Sequence, residues 1–228
     1  MRCSIVIPVL NEADGIVRLL ESLQPVRRTA HEIIVVDGGS GDDTIQRAAS
    51  LADRVLTSPR GRARQMNAGA AMAIGDVVLF LHADSRLPEH GLAAMIEAII
   101  TSGRRWGRFN VRLTGDRFLF RVVEWFMNTR SLLTGIATGD QGIFVARKLF
   151  ESIGGFPDIP LMEDIALSTR LKRIERPLCL NATIETSSRR WEQQGAWRTI
   201  WLMWRLRLAY RLGADPDKLA LRYVRNNS

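Results

Sequence analysis

Apolar residues follow two alternating rhythms along this chain of 228 residues. Residues 4–9 (SIVIPV) form a short apolar run, which reads as a buried strand. Ile16, Leu19, Leu20 and Leu23 then recur at i, i+3, i+4 and i+7, one stripe of a helix that Asn11 is placed to cap. Residues 33–36 (IIVV) predict a second buried strand, running into Asp37-Gly38-Gly39-Ser40-Gly41. Residues 42–52 read as a helix, Val55 and Leu56 as a short strand, and residues 63–74 as an alanine-rich helix after a loop marked by Pro59 and Gly61. Residues 77–81 (VVLFL) predict another buried strand, ending at His82-Ala83-Asp84. Leu92, Met95, Ile96, Ile99 and Ile100 form the next helical stripe. Strand and helix alternating at this spacing predict an α/β fold with a parallel sheet and helices on both faces.

The second half is less regular. Residues 107–113 and 142–146 read as strands, 147–152 as a short helix, and 154–157 (GGFP) as a turn. Residues 117–131 mix Phe118, Phe120, Trp125 and Phe126 with arginines. Residues 163–173 predict a helix burying Ile165, Leu167 and Leu171, and 177–186 contain one or two strands. Residues 195–212 predict a long helix with Trp197, Ile200, Trp201, Trp204 and Leu208 on one stripe, broken by Ala214-Asp215-Pro216. Its arginines split into two groups, so it lacks the single broad basic face of an interfacial membrane helix. That pattern suits packing between the domain and a partner, whether membrane, second subunit or lipid acceptor. No repeat or linker divides the chain.

Composition narrows the class. Charged residues at 25% and hydrophobic residues at 46% are ordinary for a folded domain. The net charge is +8, and only Lys148, Lys172 and Lys218 are lysines, so arginine carries the excess. Arginine pairs two-point with phosphate and carboxylate. A nucleic-acid partner would exploit that charge, but acids at the strand ends oppose a phosphate backbone there, so none is expected. Cys3 and Cys179 fall in apolar runs and form no metal-ligand pattern, which fits a reducing cytoplasm. The first apolar run is too short for a signal peptide, and no uncharged run approaches the roughly 18–20 residues of a spanning helix. The expectation is a cytoplasmic protein, soluble or bound peripherally at the inner face of the membrane.

In open parallel sheets, ligands sit beyond the carboxyl ends of the strands. Asn11-Glu12, Asp37 and Asp84 each follow a strand, so three acidic loop ends should share one edge. The turn after Asp37 lacks the G-x-G-x-x-G spacing, a P-loop lysine and the second glycine of a nucleophile elbow. Asp42 or Asp43 in a plain strand-to-helix turn could instead cap the next helix.

These blocks also carry a resemblance. SIVIPVLNE, IIVVDGGSGDDT, GRARQMNAGA and VLFLHADS resemble, in order, the blocks of family 2 glycosyltransferases with the GT-A fold. The stretch from GDQGIFVARKLF to LMEDIALSTRLKR resembles their acceptor-side block, and SSRRWEQQG their Arg-Trp block. The likeness runs from residue 3 to about 212 and is nearest the radical-SAM/selenodomain-associated transferase 2 subgroup. It implies one GT-A domain, Rossmann-like with a mostly parallel sheet. Residues 1–104 would bind nucleotide, 105–194 face the acceptor, and 195–228 form a helical segment.

The implied activity is inverting transfer of a sugar from a UDP- or GDP-linked donor to the hydroxyl of a small-molecule or lipid-linked acceptor. Pro8, Val9, Glu12, Asp37, Arg62, Arg64 and Asn67 would surround the nucleotide. Asp84, last acid of the D-x-D block, would hold Mn²⁺ or Mg²⁺, and Asp164 would be the general base. Asp140, Glu163, Arg190 and Trp191 would lie on the acceptor side. The usual first acid of D-x-D is His82 here, and the Gln of the processive Gln-x-x-Arg-Trp pattern is Ser187, which argues for a non-processive enzyme. A nucleotidyltransferase of related fold and a nucleotide-sugar-binding protein without turnover are the alternatives, and a homodimer is compatible with the aromatic helix.

Overall fold

The computed structural model describes residues 1–189, 192 and 195–227. The first half is built as its periodicity predicts. Strands β1 (Cys3–Val9), β2 (Glu32–Asp37), β3 (Arg54–Thr57) and β4 (Val77–Phe80) are parallel, in the order β3-β2-β1-β4. Alternate residues of one strand feed two cores. Ile5, Ile7, Ile33, Val35, Val77 and Leu79 pack on one face. Val6, Ile34, Val36, Val78 and Phe80 pack on the other. Helices α1 (Ala13–Ser22), α2 (Gln24–Arg27), α3 (Thr44–Ala48) and α4 (Arg62–Met72) fill the connections. A strand covered on both faces must be apolar throughout, which is why these runs are uninterrupted.

Two local expectations differ. Asn11 does not cap α1: its φ is +54°, Glu12 occupies the cap position, and Asn11 Oδ1 instead accepts from Gly41 N–H at 2.8 Å. The helix expected over 42–52 is only the short α3. There Asp42 Oδ1 accepts from Thr44 N–H at 3.1 Å, so the side chain satisfies a backbone donor in the turn.

The sheet then changes character. Strands β5 (Ser85–Arg86), β6 (Trp106–Leu113), β7 (Ile143–Ala146) and β8 (Leu178–Thr186) complete the order β4-β7-β6-β8-β5. β7 is antiparallel to both β4 and β6, β8 is parallel to β6, and β5 is antiparallel to β8. The sheet is therefore mixed, not mostly parallel. Antiparallel neighbours need no crossover, so the excursion between β6 and β7 leaves and returns at one edge of the sheet. That is the edge where β1, β2 and β4 end. The excursion contains α6 (Phe118–Thr134) and a 3₁₀ turn (Gly139–Gln141), which are thereby set over the strand ends.

Helix α6 is fastened to β6 by side chains. Glu124 Oε1 accepts from Leu113 N–H at 2.6 Å, and Asn128 exchanges two bonds with the backbone of Val111, at 2.9 and 3.0 Å. These replace the ladder bonds that a strand would supply beyond the end of β7. Helices α5 (Gly91–Ser102), α7 (Arg147–Ser152), α8 (Glu163–Ile174), α9 (Ala196–Arg211) and α10 (Pro216–Asn227) complete the chain. On α5, Leu92, Met95 and Ile99 are buried, whereas Ile100 points outward. Residues 177–186 hold one strand, β8. No helix among the described residues is long and apolar enough to cross a membrane.

Candidate active site

A cavity of about 1350 Å³ opens at the shared edge. Pro8, Val9 and Glu12 reach it from the end of β1, His82 and Asp84 from the end of β4, Arg62 from the start of α4, and Asp140 from the 3₁₀ turn. Asp84 is exposed. Burial raises the pKa of Glu12, and the nearby charge of Asp84 adds to this; Arg189 and Arg62 oppose it.

Asp37 is placed differently. It is 1% exposed and does not line the cavity. Its Oδ2 accepts from the N–H groups of Gly39 (2.7 Å) and Ser40 (2.9 Å), and its Oδ1 from Ser40 Oγ. The carboxylate thus shapes the glycine turn. Gln65, which sequence reading passed over, sits beneath that turn. Its Nε2 donates to Val9 O at 2.7 Å and Val36 O at 2.9 Å, clamping the ends of β1 and β2 at the cavity wall.

Helix α4 separates the two candidate arginines. Arg62 and Arg64 stand two residues apart, so they point to different sides of the helix. Arg64 Nε is 2.9 Å from Asp158 Oδ1 and turns away from the cavity. Arg62 lines it. The surrounding protein desolvates Arg62, which opposes its charge, but the combined field of Glu163, Asp140, Asp164 and Asp84 raises its pKa above the usual value. Asn67, further along α4, braces a loop of the second half. Its amide makes two bonds to the backbone of Phe156, at 2.8 and 2.9 Å, tying α4 to the Gly154–Phe156 turn of the second half.

Glu163 and Asp164 open α8. The preceding Met162 is buried with φ +70°, a left-handed conformation that is costly for a non-glycine residue. Asp164 Oδ2 accepts from Gly139 N–H at 2.9 Å and Oδ1 from Ile165 N–H at 2.7 Å. Next along the 3₁₀ turn, Asp140 Oδ1 lies 3.3 Å from His82 Nδ1. A Cβ at Gly139 would sit 2.5 Å from His82 Nε2, so only glycine lets the imidazole lie on this backbone. One chain of contacts therefore runs from Asp164 through Gly139 and Asp140 to His82. Glu163 is buried beside Asp164. Desolvation, then the charge of Asp164, pushes its pKa up to about 7. Asp164 is half-buried and Glu163 buried at the start of α8, and the charges of both act on Arg62 at the cavity.

Strand β5 brings the last segment in. Ser85 pairs with Thr186, and Ser187 N–H donates to Asp84 O at 3.2 Å. Ser187 thus lines the cavity. Arg190 and Trp191 lie outside the described residues, as does the side chain of Trp197. Among the described residues no three His, Cys, Asp or Glu side chains converge as a metal cage. Arg130 on α6 and Arg207 on α9 also reach the cavity, and sequence reading did not single them out. The signal was available: each arginine interrupts an apolar helical stripe.

The fold has counterparts among known proteins. An uncharacterized glycosyltransferase of Mycobacterium tuberculosis is 29% identical over 193 residues, covering 79% of this chain and 72% of its own. The mannosyltransferase PcManGT of Pyrobaculum calidifontis, solved with GDP-Man and Mn²⁺, superposes with a TM-score of 0.69 at 22% identity, covering 94% of this chain and 66% of that one. S. aureus TarS solved with UDP superposes at 0.68 with 20% identity, covering 82% of this chain. The chain spans only 60% of that TarS structure. The profile of Glycosyl transferase family 2 matches residues 4–150, which include both strand-end acids, Arg62 and the 3₁₀ turn. With its α/β fold and its acids at the strand ends, this chain belongs to glycosyl transferase family 2.

Proposed function

We propose that the chain transfers a sugar from a UDP- or GDP-linked donor to an acceptor hydroxyl, with inversion and without processive extension. The observation that carries this is the convergence of Glu12, Arg62, Asp84 and Asp140 on one cavity at the strand ends. PcManGT, solved with GDP-Man, and TarS, solved with UDP, support a nucleotide-sugar donor. The sequence blocks favour the radical-SAM/selenodomain-associated transferase 2 subgroup within the family.

Asp84 fits a hard divalent cation. Mn²⁺ or Mg²⁺ at such sites takes one or two protein carboxylates and completes its shell with phosphate and water, so a three-residue cage is not required. Asp84 is exposed on the cavity, with Glu12 close enough to feel its charge. When bound, the cation neutralises charge developing on the leaving diphosphate. Arg62 adds a fixed positive charge to the same wall, preorganised by the carboxylates behind it. Pro8 and Val9 form the floor under the nucleoside, and Gln65 fixes that floor.

Asp164 takes the proton of the attacking hydroxyl. Each of its oxygens accepts one backbone bond and keeps a free lone pair, so the bonds orient the base without consuming it. Direct displacement at the anomeric carbon inverts it. The Ser187 N–H bond to the Asp84 carbonyl closes the wall where a processive enzyme would carry glutamine.

The test is thermal unfolding with UDP and GDP, with and without Mn²⁺. A nucleotide at about a hundredfold excess over its Kd should raise Tm by roughly 5–10 °C. Asp84→Ala should abolish the metal-dependent part. Failure of both nucleotides to raise Tm, with or without Mn²⁺, would sink the donor assignment.

A further inference from the structure

Position 82 is where the D-x-D block departs from the family pattern, and the surrounding contacts give the imidazole a use. His82 stands two residues past β4, and its side chain is only 12% exposed. The Nε2–Cε1 edge of the ring lies against the backbone of Gly139, where a Cβ would come within 2.5–2.6 Å of both atoms. On its other edge Nδ1 faces Asp140 Oδ1 at 3.3 Å. A carboxylate in that place favours the tautomer with the proton on Nδ1, so the neutral ring can donate to Asp140.

The 3₁₀ turn is pinned at its flanks by other elements. Ala137 N–H donates to Ser168 Oγ of α8 at 3.1 Å. Gln141 Oε1 accepts from Thr138 N–H at 3.2 Å, and Gln141 Nε2 donates to Asn128 Oδ1 of α6 at 3.4 Å. Between these pins lies Gly139, which has no side chain of its own to anchor it and a backbone freer than any other residue's. His82 covers one side of it, and Asp164 Oδ2 takes its N–H at 2.9 Å on the other. Without the ring, the Gly139 amide gains room to swing away. Asp164 would then keep only the bond from Ile165 N–H at 2.7 Å, and a carboxylate held by one bond rotates about it.

We propose that His82 is a positioning residue for Asp164: it buttresses the turn at Gly139 and Asp140, so that Gly139 N–H stays on the carboxylate of the base. This rests on the transferase reading above, which makes Asp164 the base. It also explains why the usual acid is missing at position 82. Asp140 enters the cavity wall from the turn, and a carboxylate at position 82 would face it where Nδ1 now stands. Like charges that close repel. An acid can therefore occupy position 82 or position 140, but not both.

The experiment has one arm on the ligand-free full chain and one on turnover, so a failure of the donor reading is seen apart from a failure of this proposal. Amide hydrogen exchange follows Gly139 and Ala137 by NMR. His82→Leu should speed exchange at Gly139 about tenfold or more, as Asp164→Ala should, while Ala137 keeps its protection. His82→Asn places an amide NH₂ where Nδ1 stood and should keep most of the protection. Turnover is nucleotide release from GDP-mannose and UDP-N-acetylglucosamine with Mn²⁺, water serving as acceptor. In His82→Leu, kcat should fall about 10–100-fold, the scale of a misplaced catalytic group, with donor KM changed less than about twofold. His82→Asn should recover most of that loss. His82→Asp, which restores the family's acid, should be as poor as His82→Leu, and adding Asp140→Asn to it should recover part of the loss. Unchanged exchange at Gly139 in His82→Leu overturns the proposal, and so does an equal loss at Ala137, which marks the ring as packing alone. Full activity of His82→Asp overturns it too. A rise in KM that matches the fall in kcat assigns His82 to donor binding instead. Should neither donor turn over in the wild type, that counts against the donor reading, and the exchange arm alone decides the proposal.

Discussion

Glu12 and Asp84 stand at the ends of strands whose every residue follows a period of two, whereas Asp164 is positioned through a left-handed Met162 and a backbone N–H of Gly139. The first half is thus built from regular elements, with Glu12 and Asp84 in the loops just past the ends of β1 and β4. The second half adds an excursion, a short 3₁₀ turn and a helix start, each held by specific side-chain bonds. The first kind of construction tolerates variation in the residues that connect it. The second permits a distinctive site, because its geometry depends on individual contacts such as His82 against Gly139.

Substitutions can break this contrast. The largest effect should come from Asp164→Asn. Transfer should fall about 10²–10⁴-fold while nucleotide affinity is unchanged, measured by nucleotide release and by titration. Normal transfer by this variant would place the base elsewhere.

Next comes a pair of glycines, one from each half. A Cβ at Gly107 would lie 2.1 Å from Leu178 O, whereas one at Gly69 would meet Val6 Cγ1 at 2.4 Å. Side chains can shift, but a carbonyl in a paired strand cannot. Gly107→Ala should therefore cost about 2–4 kcal/mol in urea unfolding, and Gly69→Ala less. Equal losses would remove the distinction between a compliant and a rigid half.

Glu163 gives a smaller, pH-dependent effect. Its folded pKa is raised, so the folded state keeps the proton longer than the unfolded chain does. The resulting contribution to stability is complete below about 4.5 and is lost as pH rises through about 7. Glu163→Gln should match the wild type at pH 4 and exceed it above pH 7, by about 1–3 kcal/mol. A constant difference across that range would show that Glu163 does not titrate there.

The smallest effect separates the neighbouring arginines. Arg62→Ala should weaken nucleotide binding about tenfold, the scale of one charged hydrogen bond. Arg64→Ala breaks only an exposed pair with Asp158 and should change affinity and stability little. The reverse ranking in a nucleotide titration would move the donor site to the other side of α4.

Much of the first half was legible because burial on both faces leaves a mark in sequence. Residues 4–9, 33–36 and 77–81 are continuous apolar runs, and the acids that end two of them, Glu12 and Asp84, line the cavity. Even here a side chain's direction was not legible. Asp37 has the same strand-end position, yet its carboxylate turns back on Gly39 and Ser40. A loop's own backbone donors compete for a carboxylate, and sequence does not say which wins. The second half was legible as elements but not as an arrangement. Residues 107–113 and 142–146 read as strands, but nothing local states that they pair antiparallel between β4 and β8.

By itself, then, the sequence determined which segments are strands and helices, which faces they bury, and that acids cluster after strands. Those properties depend on periodicity and on neighbours within a few residues. Only the tertiary structure decided that the sheet is mixed, that Ser187 meets Asp84 through β5, and that Arg130 and Arg207 share one groove. Those contacts join residues far apart in the chain, and their energies arise from burial and charge that exist only once the layers have packed.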